Sequence, residues 1–182
     1  MPKYPLNDQS VSAFIAVFAY CGWHGIGIAE TPNPSMAKAL NSYKKFVAMI
    51  LDAGRVPHSA AMLALYYIDL IRILHPRVGG TGSPGSECRI LVSALMLAMK
   101  FLVDNTYTNK TWHRISSIPL VELYASEFEL LALLDYRLHM DAGKYSKWLL
   151  HIKTIHDEYQ RIYRARKIQS SIDQRLLLVA NG

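Results

Sequence analysis

Cysteine is almost absent. The 182 residues hold two, Cys21 and Cys88, far apart in sequence and in apolar surroundings. That excludes a disulfide framework and argues against a cysteine metal site; the pair reads as two reduced, buried thiols of an intracellular protein. Charge is scarce as well, with Asp, Glu, Lys and Arg at 19% of residues. Hydrophobic residues reach 51%, enough for a real core, so a disordered chain is excluded. Catalytic motifs are missing too. There is no H-E-x-x-H, no G-x-S-x-G and no P-loop. His151 and His156 are five apart and do not share a helix face as a metal pair would. His113, between Trp112 and Arg114, reads as a surface or boundary residue. Glu127 and Glu129, two apart, lie on opposite sides of a helix and make no carboxylate pair. Gly25-Ile26-Gly27 has no strand before it and no third glycine after it, so it reads as linker rather than phosphate loop. No catalytic residue, cofactor, metal or small-molecule substrate is expected.

Residues 9–29 contain no Asp, Glu, Lys or Arg. Gly22, Gly25 and Gly27 break that run, and a spanning helix wants about 20 mostly apolar residues. The short leader carries only Lys3, offset by Asp8, whereas a signal peptide wants a basic one. Residues 10–20 therefore read as a buried helix, and neither a membrane nor a secreted protein is expected.

The formal charge of +6 is uneven. Residues 1–141 hold 12 basic and 11 acidic side chains; residues 142–182 hold 8 and 3. The body is near neutral and the tail is basic, so any nucleic-acid reading concerns the tail.

What is present is helical periodicity. Apolar residues recur at three and four, seldom in alternation. The first helix is capped at Asp8 or Ser10, and residues 21–34, with three glycines and two prolines, read as a loop. Asn33-Pro34-Ser35 opens a second helix that Gly54 stops. A third, AAMLALYYIDLIRIL, is apolar almost all round and should be central. The loop RVGGTGSPG, residues 77–85, separates it from a fourth, ECRILVSALMLAMKFLVD, starting at Ser86-Glu87. Thr108 caps a short helix around Trp112. Ser117-Ile118-Pro119 starts another, which stops near Arg137. Asp141 caps a last helix over residues 143–166, and residues 167–182 are expected to fray. The chain suits one domain with extra helices, not two full domains.

Two charges sit oddly. Lys100, in LMLAMKFLV, is a lone cation in an otherwise apolar stretch of helix, flanked by Leu97 and Phe101. Glu127, in ASEFELLALLDYRL, is followed by Leu131 one turn on. A cation, an anion and an apolar groove suit a partner helix bearing both charge signs. On pattern alone, solvated ends of core helices are the plainer explanation, because charged residues beside core leucines are common.

At this point the sequence resembles a known family. Pro57-His58-Ser59 with LALYYIDLIR resembles the second helix of a cyclin box. GSECRILVSALMLAMKFLVDNTYTNKTWHRISSIP resembles the third and fourth, and LVELYASEFELLALLDYRL the fifth. The branch it resembles is the fungal cyclins of the phosphate-pathway type. The resemblance covers roughly residues 40–148. It implies an all-α fold: a single five-helix cyclin box over residues 35–140, an N-terminal helix and loop over 1–34, and a basic helix and tail over 141–182. It implies a regulatory subunit of a cyclin-dependent kinase, not itself an enzyme, working in cytoplasm or nucleus. Lys100 and Glu127 match the pair that binds the kinase helix bearing a PSTAIRE-like motif. Leu97, Phe101, Leu131 and Leu138 match the pocket for an apolar residue of that helix. Both charges are expected to reach solvent in the free subunit. The substrate-docking motif of many cell-cycle cyclins has only a superficial echo, Ala48-Met49-Ile50-Leu51, and the chain is too short for their second cyclin fold. The second reading is a nucleic-acid-binding helical protein of cyclin-like fold, resting on RIYRARKIQ; the near-neutral body argues against it.

Overall fold

A computed structural model describes residues 9–30, 33–78 and 85–180. Every regular element among them is an α-helix: α1 Gln9–His24, α2 Pro34–Ala53, α3 His58–Leu74, α4 Ser86–Leu102, α5 Asn109–Ser116, α6 Leu120–Leu133 and α7 Ala142–Ala180. They fall into two compact units, one within Met1–Met140 and one within Asp141–Gly182. Helices α2 to α6 follow the five helices expected of the box, with α1 and α7 flanking them in sequence. Among the described residues no helix is long and apolar enough to cross a membrane.

The first helix runs one turn further than its glycines suggest. Gly22 does not stop it, because Cys21 and Trp23 are both buried and hold that turn in the core. It ends at Gly25, whose φ of 66° is left-handed, and Ile26 N–H donates to the Cys21 carbonyl at 2.9 Å. That is the closure typical of a glycine-ended helix. The alternative cap, Asp8, lies outside the described residues. Helix α1 packs on α2, α3 and α4, and Phe14, Ile15 and Ala16 are wholly enclosed. It flanks the box in sequence and completes its core in space.

Helix α2 starts as its sequence predicts: Asn33 Oδ1 accepts from Met36 N–H at 2.8 Å, with Pro34 in the first turn. The end differs in mechanism. Gly54 has an ordinary φ of −78°, and Arg55 takes the left-handed conformation at 44°. Glycine is needed at 54 for space. A Cβ there would lie 2.7 Å from the Ile50 carbonyl oxygen and 3.3 Å from the Trp112 ring.

The centre of the first unit is α4. It packs on α1, α2, α3, α5 and α6, and residues 90–99 are all buried. Each large side chain enclosed this way contributes about 1.5–3 kcal/mol. Helix α6 stops at Leu133, a turn short of the expected Arg137. Asp135 and Tyr136 are both left-handed, at 50° and 56°, which no helix can continue through. In the second unit Asp141 Oδ1 accepts from Lys144 N–H at 2.8 Å and caps α7. This helix continues past Arg166 to Ala180, where fraying was expected. Residues 144–180 hold neither glycine nor proline, and Gln169 Nε2 donates to Asp173 Oδ1 one turn on at 2.8 Å.

Candidate functional site

Three helices meet at the C-terminal end of α4. Lys100 lies in its last turn, Glu127 lies in α6, and the two helices pack together. The Lys100 ammonium donates directly to Glu127 Oε1. It also donates to Asn109 Oδ1 at 2.9 Å, and Asn109 Nδ2 donates to Glu127 Oε2 at 2.8 Å. Asn109 is the first residue of α5. Thr108 sets its position as N-cap, with Oγ1 accepting from Thr111 N–H at 3.4 Å. Trp112, three residues on, is wholly enclosed and fixes the inward face of the short helix.

This corrects one expectation. Glu127 does not reach water freely; only 9% of it is exposed. A buried carboxylate is costly unless paired and hydrogen-bonded, and here each oxygen has its own donor. Lys100 keeps 35% of its side chain exposed, so the network has a wet edge and a dry base. The amide orientation of Asn109 follows from its neighbours, since its oxygen must face the ammonium and its NH2 the carboxylate.

The four apolar candidates separate by depth. Leu97 is 3% exposed and belongs to the core, whereas Phe101 is 43% exposed at the rim. Leu131 and Leu138 are half-buried. The Phe101 ring meets the His139 ring edge-on, with centroids 6.4 Å apart, so the segment after α6 lies beside the end of α4. Two hydrogen bonds hold that segment: Tyr67 hydroxyl donates to the Leu138 carbonyl at 2.9 Å, and His75 Nε2–H to the Leu133 carbonyl at 3.0 Å.

Sequence reasoning missed two features. Asn109 belongs to no motif that would single it out; its spacing of three from Trp112 is the available signal that it faces inward. Val121, Tyr124 and Phe128, at spacings of three and four on α6, form an exposed apolar row, Phe128 by 67%.

At the other end of α4 the buried contacts are neutral, and Arg89 pairs with Glu122 at 3.3 Å nearer the surface. Trp23 Nε1–H donates to Ser86 Oγ at 3.0 Å, and Tyr43 hydroxyl to the Glu87 carbonyl at 3.1 Å. Burial pushes the Tyr43 phenol well above its ordinary range. It also pushes the Cys21 thiol up to about 11 and the half-buried Cys88 thiol up to about 12, so both stay protonated. Cys88 is less enclosed than expected. The glycine loop after α1 folds on itself: Gly27 N–H donates to Glu30 Oε1 at 2.8 Å, so its own carboxylate takes the place an anion would need. His113 is exposed, and its Nδ1–H donates to the Ile118 carbonyl at 2.7 Å.

Comparison with known proteins agrees with this architecture. A family model described as Cyclin matches residues 38–138, more than half of the chain. The G1/S-specific cyclin pas1 of Schizosaccharomyces pombe is 28% identical over 129 residues, covering 68% of this chain and 30% of that protein. Cyclin-U1-1 of Arabidopsis thaliana is 27% identical over 131 residues, covering 72% and 57%. PHO85 cyclin-5 of Saccharomyces cerevisiae is 29% identical over 119 residues, covering 64% and 52%. The chain thus spans between 30% and 57% of the length of these relatives. The matched span runs from within α2 to the segment after α6 and includes the Lys100–Asn109–Glu127 network: the chain belongs to the cyclin family.

Proposed function

We propose that this chain is an activating regulatory subunit of a cyclin-dependent kinase, with no catalysis of its own. The supporting observation is the charged network at the C-terminal end of α4, half-open to water beside the exposed Phe101. Lys100 and Glu127 offer both charge signs to a kinase helix of the PSTAIRE-like kind. Phe101, Leu131 and Leu138 form the apolar rim for one of its side chains, with Leu97 as the floor beneath. Binding there holds the kinase helix inward and favours the state in which the kinase's own Lys–Glu pair forms. The names of relatives, a G1/S-specific cyclin and PHO85 cyclins, support a cyclin-dependent kinase as the partner.

The test mixes the purified chain with a panel of cyclin-dependent kinases and follows phosphate transfer to a peptide. At least tenfold activation of one kinase is expected. Binding of duplex DNA or RNA with no kinase bound or activated would overturn the reading and favour the basic helix α7 as the working surface.

A further inference from the structure

We infer that Asn109 is a positioning residue of the kinase-docking surface: it holds Lys100 and Glu127 in their paired geometry before the kinase arrives. This rests on the kinase-docking reading above. Among the described residues Asn109 supplies the hydrogen-bond donor of Glu127 Oε2 and the second acceptor of the Lys100 ammonium. A carboxamide does both at once because its two ends carry opposite hydrogen-bonding character. A carboxylate at this position would repel Glu127, and an apolar side chain would leave Oε2 without its donor. Asn109 is itself 7% exposed, so its amide is held out of water.

The pairing leaves defined capacity for a partner. An ammonium has three donors, and Lys100 uses two. Each Glu127 oxygen has accepted one bond and can take another. A kinase helix carrying both charge signs can complete both sets without ordering a free lysine or drying an unpaired carboxylate. Groups fixed beforehand lose less freedom on binding, so the complex dissociates more slowly. Asn109 also carries the signal into α5, making the short helix part of the docking surface without touching the kinase.

Asn109→Ala should weaken binding to the activated kinase at least tenfold. Ser116→Ala, which loosens the opposite end of α5 by removing the bonds of the Ser116 hydroxyl to the Trp112 carbonyl and Ile118 N–H, should lower the melting temperature yet leave binding within twofold. Equal loss of binding in both variants would reduce Asn109 to a structural anchor and overturn the proposal. Asn109→Asp guards against a failure to fold, since an acidic residue suits the first turn of a helix. It should weaken binding at least fivefold while the protein still melts cooperatively. Wild-type affinity in Asn109→Asp overturns the proposal. Lys100→Ala separates the two readings. If it abolishes binding while both Asn109 variants bind normally, only the positioning role falls. If Lys100→Ala also binds normally, the docking assignment falls with it.

Discussion

The two ends of α4 are closed differently. The N-terminal end is sealed by neutral bonds from Trp23 and Tyr43, buried side chains of α1 and α2, with the part-exposed Arg89–Glu122 ion pair at 3.3 Å beside them. The C-terminal end is held by a charged network and leaves Phe101 and Leu102 exposed. Neutral hydrogen bonds can be fully buried at small cost, so they suit a permanent seam. A charge pair at a half-wet edge loses less solvation and still has bonding capacity for a partner. On the proposed docking reading, one helix serves as the core of the unit at one end and as its interface at the other.

Several substitutions would break or sharpen that contrast. The largest effect belongs to the middle of the helix. Leu95→Ala, at a wholly enclosed position, should cost about 2–5 kcal/mol and lower the melting temperature strongly. Gly54→Ala comes next. Its Cβ would press on the Ile50 carbonyl and the Trp112 ring, and overpacking of this kind costs about 1–3 kcal/mol. It should unsettle α5 from the far side, so kinase binding should weaken with stability. Trp23→Phe removes the donor to Ser86 at the closed end. A loss of about 1–3 kcal/mol is expected, with kinase binding unchanged once the protein is folded. Weakened binding in Trp23→Phe would mean the two ends are coupled.

The smallest effect is a pH dependence to which the closed end contributes four groups. The Cys21, Cys88, Tyr20 and Tyr43 acids are all raised, first by burial. The unfolded chain then releases their protons at lower pH than the folded one does. Stability should hold below about pH 9 and fall as pH rises toward 11 to 12. Urea titrations at pH 8 and pH 10.5 check this, and Cys21→Ala should flatten part of the slope. A midpoint that does not move would contradict the burial of these groups.

Much of this was legible in the sequence because it was local. Asn33, Thr108 and Asp141 announced their helices as caps, and the unbroken apolar run of α4 announced its centrality. Three things were not local. The last turn of α1 survives Gly22 because tertiary burial of Cys21 and Trp23 outweighs a glycine's propensity cost of about 1 kcal/mol. The stop at Leu133 needs two left-handed residues, Asp135 and Tyr136, that carry no glycine signature. The site itself was half legible. Lys100 and Glu127 stood out as charges among leucines, but their pairing through Asn109 depends on how α4, α5 and α6 converge. Spacing along one helix holds no record of that.

The central claim is that Lys100 and Glu127 serve a partner as well as each other. Lys100→Glu alone would set two carboxylates together, and should cost the fold about 1–3 kcal/mol besides abolishing kinase binding. The direct measurement is the exchange Lys100→Glu with Glu127→Lys, assayed for both melting temperature and kinase activation. The exchange restores the internal pair, since the Asn109 amide can turn over to match it. It reverses the charges that the kinase meets. Recovery of thermal stability toward wild type, with kinase activation still lost, is the predicted result. Full recovery of activation together with stability would contradict the account, and would leave the pair a brace of the fold alone.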